Sequence, residues 1–192
     1  MEKAKEYLHE TSRPVGRRSS VRYGNCTRFI KAEEQAKLEP IDVSVIIKHT
    51  VEFLGLLNMN LDERFNPKQD EDIDSISSIK SLYEKIKQEN SLADKRDIVW
   101  MKFTRDGFLG VVATSNDINF DMPPSKDEYN NKHSTSGIII HNLGKTWDED
   151  FVLIFPLRKI PADLKRGDVE RGIGNYLIKK GVPILDFFSH RY

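Results

Sequence analysis

Hydrophobic positions in the second half of the chain come in short runs that predict β-strands. Apolar runs of four to eight residues, rich in β-branched and aromatic side chains and bounded by turn residues, are typical of buried strands. Two such runs flank a polar segment with Asn142 and Gly144, and we expect that pair in the middle of a sheet. The pattern predicts five strands, at residues 97–103, 108–114, 137–142, 150–157 and 182–188.

The first two of these strands carry the strongest local signal. They are separated by the residues TRDG, and an Asp-Gly pair between apolar runs is a strong indication of a hairpin. We therefore place Asp106 and Gly107 in a tight turn.

Helical spacing of apolar residues appears in three other places. Asp42 is suited to cap a helix that runs to about Leu57, and a second helix is predicted to begin at Asp74 or Ser75. Asp168 is predicted to cap a third helix, VERGIGNYLIKK, which precedes the last strand.

The third predicted helix contains two glycines in its interior. Gly172 and Gly174 each cost about 1 kcal/mol relative to alanine, so we expect close packing against the sheet to offset that cost, and the alternative is the approach of a phosphate group to the backbone. Gly181 fits as the left-handed residue that ends the helix.

Together these elements predict an α+β fold with a mixed sheet of about five strands, two N-terminal helices and one helix before the last strand. The unit strand–helix–strand near the C-terminus predicts that its two strands run parallel. A chain of 192 residues suffices for one such domain. We assign residues 1–40 to a basic, partly mobile arm and residues 41–192 to the domain, with a helical part at 41–95 and a sheet part at 96–192.

Composition narrows the class of protein. Apolar residues make up 38% and charged residues 31%, as in globular domains. We find no apolar stretch of the roughly 20 residues that span a bilayer and no leader-like N-terminus, so we expect no membrane contact. Cys26 is the single cysteine, which excludes an intramolecular disulfide, and a cytoplasmic location is expected.

Charge is balanced overall but unevenly distributed. Thirty basic residues offset thirty acidic ones, yet residues 11–31 hold six cations and no acid, whereas residues 62–74 are mainly acidic. Arginine pairs with phosphate oxygens in bidentate geometry, and aromatic rings stack on bases. The first hypothesis is a binding protein for a polyanionic or nucleotide-like partner, a nucleic acid or a nucleotide. Its predicted ligand-binding residues are Arg13, Arg17, Arg18, Arg22, Tyr23 and Arg28.

A rival hypothesis is a metal-dependent phosphodiester hydrolase or nuclease. Asp186 lies in an otherwise apolar strand and must have a partner there. Strand alternation places it on the same face as His190, and His141 converges with them if its strand is close. With His133 from the preceding loop, these residues are the predicted catalytic set. A divalent metal is expected only under this hypothesis.

A third hypothesis is a protein-interaction module whose docking surfaces are the basic arm and the acidic segment 62–74. The polar loop at 115–136 is unusually long for a compact domain, so a binding role with ordering on ligand contact is expected for it. The sequence leaves open the ligand, enzymatic activity, the oligomeric state and the strand order.

Overall fold

The computed structural model describes residues 2–8, 38–59, 97–115, 144–157 and 159–185. These parts contain both helices and a sheet, which confirms the α+β class. In chain order the elements are a 3-10 turn (Glu2–Ala4), α1 (Lys5–Leu8), α2 (Val43–Leu56), β1 (Ile98–Thr104), β2 (Leu109–Ser115), β3 (Trp147–Pro156) and α3 (Arg166–Lys179). No helix in the described ranges is long and apolar enough to cross a membrane.

The described strands form an antiparallel sheet in the order β2–β1–β3. Among these strands β1 holds the central position and β3 has one neighbour. The strands predicted at 97–103, 108–114 and 150–157 are present, although β3 begins three residues earlier than expected. The strand predicted at 137–142 lies outside the described residues.

The segment after α3 returns to the sheet beside β2. Ile184 forms an isolated parallel bridge with Leu109, and the amide of Leu185 donates to the Leu109 carbonyl at 3.0 Å. Because β2 and β3 are both antiparallel to β1, Ile184 also runs parallel to β3. At this single bridge the chain has the direction that was predicted for the last strand. The rest of the strand predicted at 182–188 lies beyond the described residues.

The hairpin joining β1 and β2 has the predicted Asp106–Gly107 turn. The amide of Thr104 donates to the Phe108 carbonyl at 2.9 Å, and the amide of Gly107 donates to the Thr104 carbonyl at 2.8 Å. Gly107 has φ +88°, as expected for the left-handed last residue of a three-residue hairpin loop.

One face of the sheet packs against the helices. Val99, Met101 and Phe103 of β1 belong to a buried cluster that includes Phe53 of α2 and Ile173 of α3. The opposite face is buried too. Its buried residues include Ile98, Lys102, Thr104, Trp147 and Ile154.

The two longer helices begin in different ways. Asp42 caps α2 as predicted, because its Oδ1 accepts a 2.8 Å hydrogen bond from the amide of Ser44. The prediction that Asp168 is the N-cap of α3 is wrong, since that position belongs to Lys165. Asp168 lies one turn inside, where its Oδ2 reaches back to the amide of Lys165 at 2.8 Å. Gly181 follows α3 with φ +86°, as expected.

Candidate functional site

Every residue of the two sequence-predicted sites lies outside the described parts of the chain. The predicted catalytic set is His133, His141, Asp186 and His190, and the predicted ligand set is Arg13, Arg17, Arg18, Arg22, Tyr23 and Arg28. The same holds for the helix predicted from Asp74 or Ser75, for the acidic segment 62–74 and for the loop predicted at 115–136 except Ser115, which is the last residue of β2. Both site assignments therefore stay predictions.

Polar side chains meet where α2 and α3 cross, in a group that we call the helix-junction cluster: His49, Glu52, Tyr176 and Lys180. His49 Nδ1 lies 2.9 Å from Glu52 Oε2, and the Tyr176 hydroxyl donates to the same oxygen at 3.3 Å. Lys180 Nζ lies 3.8 Å from it. One carboxylate oxygen thus links two helices.

The hydrogen bond with His49 lowers the pKa of Glu52, helped by the charge of Lys180 and the Tyr176 hydroxyl and opposed by desolvation. Glu52 is therefore an ionised acceptor with internal partners, and its described contacts connect helices. His49 is likewise a hydrogen-bonded residue, at the boundary between the two helices. The spacing of three residues between His49 and Glu52 was the available signal for their contact. Nothing local indicated Tyr176, which is distant in sequence.

A second group, the hairpin-turn cluster, contains Thr104, Asp106, Phe108 and Lys145. The Thr104 hydroxyl donates to Asp106 Oδ1 at 2.6 Å, and Lys145 Nζ forms an ion pair with Asp106 Oδ2. The Lys145 ammonium also lies 4.2 Å from the centroid of the Phe108 ring. Its side chain is only 13% exposed, so the lysine is held between a carboxylate and an aromatic face.

Opposing effects act on the Asp106 carboxyl. Burial raises its pKa, but the hydrogen bonds from Lys145 and Thr104 outweigh burial and leave the pKa below its ordinary value. The hairpin-turn cluster contacts residues 144–146 through Lys145. The Arg105 amide also donates a 2.8 Å hydrogen bond to the Thr146 carbonyl, so both contacts hold residues 144–146 against the hairpin turn.

The Trp147 indole packs against the backbone at Gly110. A Cβ built on Gly110 would lie 2.3 Å from the ring, so glycine is required for this approach. The indole is buried, and its Nε1–H has no acceptor among the described residues. A buried donor without a partner costs about 1–3 kcal/mol, which the close ring packing must offset.

The N-terminal residues dock on α3. The Asn175 Nδ2 donates to the Tyr7 carbonyl at 2.7 Å, and Arg171 donates to the Leu8 carbonyl at 3.4 Å. The Tyr7 ring makes edge contacts with Phe53 and Tyr176, at centroid distances of 6.0 Å and 5.1 Å. We call residues 2–8 the docked N-terminal turn.

The described chain resumes after residue 37 at a different place on the surface. Pro40 lies against the hairpin turn, where its Cβ is 3.2 Å from the position of a Cβ on Gly107. The described residues on the two sides of the basic segment therefore lie at α3, for Leu8, and at the β1–β2 turn, for Pro40.

Within the described ranges, no group of three or more His, Cys, Asp or Glu side chains is arranged to hold a metal ion. Comparison of the chain with protein-family models, with curated proteins and with solved structures gives no significant match. A function has to be inferred from the residues of this chain.

Proposed function

We propose that this protein binds a polyanionic partner, a nucleic acid or nucleotide, through residues 11–31, the part of the basic arm that carries its cluster of cations. The observation that carries the proposal is a run of six cations without an acidic residue in a chain whose net charge is zero. The cations are Arg13, Arg17, Arg18, Arg22, Arg28 and Lys31.

The chemistry of the arm suits phosphate. Guanidinium groups match two phosphate oxygens at once, and Tyr23 adds a ring on which a base can stack. Because the net charge of the chain is zero, long-range steering is weak and the attraction must come from local contacts. Such contacts release counterions, so the affinity should fall steeply with salt.

Described contacts on both sides of the arm support the proposal. Its N-terminal side is joined to a turn that hydrogen-bonds to α3, and its C-terminal side leads to Pro40 at the hairpin. A partner bound by the arm is thereby kept next to the folded domain. A cytoplasmic location is part of the proposal, since the single cysteine gives no sign of an oxidising compartment.

The test replaces three arginines in the full-length chain, R17A/R18A/R22A, and measures binding of a labelled oligothymidylate by fluorescence anisotropy over a range of salt concentrations. For single strands, each phosphate contact adds about 0.7 to the slope of log K against log salt, so the slope should fall by about 2. Affinity at low salt should fall with it.

The matched control is K48A/K159A/K179A, which removes the same charge from three exposed lysines of the described domain. The control should retain most of the affinity and the slope of the parent. Equal losses in both variants would indicate a general charge effect, and unchanged binding in the arginine variant at every salt concentration would reject the proposal.

A further inference from the structure

We propose that one face of the sheet is a docking surface for residues 116–143 of the same chain, the segment that joins β2 to β3. The docking surface consists entirely of described residues, and the segment is assigned to it from the positions of the described residues at its two ends. This inference does not depend on the proposed function.

The docking surface, which we call the far face, is the side of the sheet turned away from the helices. Val111 of β2 and Val152 of β3 both pair with Lys102 of β1, so the three side chains share this face. The far face is largely apolar, and its buried side chains are only 1–7% exposed: Ile98, Lys102, Val111, Trp147, Val152 and Ile154.

These six side chains are buried although no described helix packs on them. The buried cluster that contains residues of α2 and α3 takes its sheet residues from the other face, Val99 and Met101 among them, and includes none of the six. Side chains on one face of a sheet stay accessible to water unless a second layer packs against them. The layer on the far face must therefore come from residues outside the described ranges.

The ends of the segment 116–143 require it to cross the sheet. β2 ends at Ser115, and β1 separates it from β3, which begins at Trp147 and runs parallel to β2. Residues 144–146 contact the β1–β2 turn, at the end of the sheet opposite to Ser115. A connection between two parallel strands that are separated by a third has to pass over one face of the sheet.

The handedness of such connections selects the face. Crossovers between parallel strands of one sheet are right-handed in about 98% of cases. The connection from β3 to Ile184 runs across the sheet in the opposite direction, from β3 past β1 to the side of β2, and its helix α3 packs on the helix side. Two right-handed connections that cross a sheet in opposite directions, between strands of the same orientation, pass over opposite faces. The connection 116–143 is therefore assigned to the far face.

The start of the segment has an apolar pattern that suits this surface. Ile118, Phe120 and Met122 alternate with polar residues directly after β2. In an extended chain such alternation places the apolar side chains on one side. The pattern is typical of a chain that packs on an apolar surface with one of its sides.

The test measures nuclear Overhauser contacts in the unmodified full-length protein, isotope-labelled and without ligand. The methyl groups of Ile98, Val152 and Ile154 report on the far face. We expect them to contact protons of residues 116–143. The proposal would be overturned if these methyl groups contacted no residue of that segment, or did so only after a polyanion was added, or instead contacted residues 9–37, 60–96 or 186–192.

Two variants test the apolar pattern. F120A/M122A should shift the methyl resonances of Val152 and Ile154, while those of Leu177 in the helix-side cluster keep their parent positions. N119A/D121A truncates the neighbouring polar residues and is the matched control, which should leave both sets of resonances in place. Unshifted far-face methyl groups in folded F120A/M122A would contradict the docking. If this variant does not fold, the contacts measured in the unmodified protein decide.

Discussion

Gly172 shows at the scale of one residue how the helices come together. A Cβ at this position would lie 2.4 Å from Phe53 Cζ and 2.9 Å from Leu8 Cδ2. The sequence predicted that close packing against the sheet offsets the cost of glycine within the helix; close packing is present at Gly172, but the neighbouring atoms belong to helices. The described contacts are with α2 and α1.

Substitution of this glycine has a predictable effect. Gly172→Ala should lower the free energy of unfolding by about 1–3 kcal/mol, because the added methyl group overpacks the contact with Phe53. Gly55→Ala is the matched control, since no described atom lies within 4 Å of a Cβ there and the residue is exposed in the last turn of α2. The control should raise stability by about 1 kcal/mol. Urea unfolding measures both, and equal stabilities would contradict the packing.

The Asp106 carboxylate gives a pH-dependent prediction. Its pKa is lower in the folded protein than in the unfolded chain, so its contribution to stability is present above the unfolded pKa and is lost as pH falls through the folded value. Asp106→Asn should cost less than about 1 kcal/mol at neutral pH, because the side chain is half-exposed and its ion pair is screened. It should also flatten the fall in stability below about pH 4.

A substitution of Lys145 tests whether this lysine stabilises the Asp106 carboxylate. In a Lys145→Met background, which keeps the stem over Phe108, Asp106→Asn should have a smaller effect than in the parent. Thermal melts from pH 2 to pH 7 measure the difference. Equal effects in both backgrounds would mean that Lys145 does not hold Asp106.

At the scale of the element, the start of α3 depends on a side chain one turn inside the helix. Asp168 accepts from the Lys165 amide and also pairs with Arg171 at 3.2 Å. A carboxylate in the first turn satisfies a free backbone donor and complements the helix dipole.

Asp168→Ala should therefore lower the free energy of unfolding by about 1 kcal/mol. Asp163→Ala removes the same charge from an exposed position just before the helix and should stay within about 0.5 kcal/mol of the parent. Denaturant unfolding of the two variants makes the comparison. Equal losses would indicate an effect of net charge and not of the cap.

For the molecule as a whole, sequence patterns predicted the elements whose structure depends on residues that are close together in the chain. The hairpin, α2 and the body of α3 followed from alternation, helical spacing and turn chemistry. The start of α3 was misplaced because an aspartate can serve a helix N-terminus from the cap or from the third position, and the sequence does not distinguish them. The strand order was left open because it depends on contacts between distant segments.

The helix-junction cluster and the hairpin-turn cluster could not be predicted as a whole, because they also join segments that are distant in sequence. Glu52 meets Tyr176 and Asp106 meets Lys145 across long stretches of chain, and no spacing rule joins such residues. The basic arm was visible because a charge run is a property of composition, and its binding role stays a prediction.

The packing of Trp147 has an optical consequence. The chain has two tryptophans, and both lie in the sheet: Trp147 is 1% exposed, while Trp100 is partly exposed and donates from Nε1 to Ser115 Oγ at 3.2 Å. Indole emission shifts to longer wavelength when the ring meets water. The wavelength of maximal tryptophan emission therefore reports whether the sheet is folded in every variant. The arm contains no tryptophan and so does not contribute to this emission.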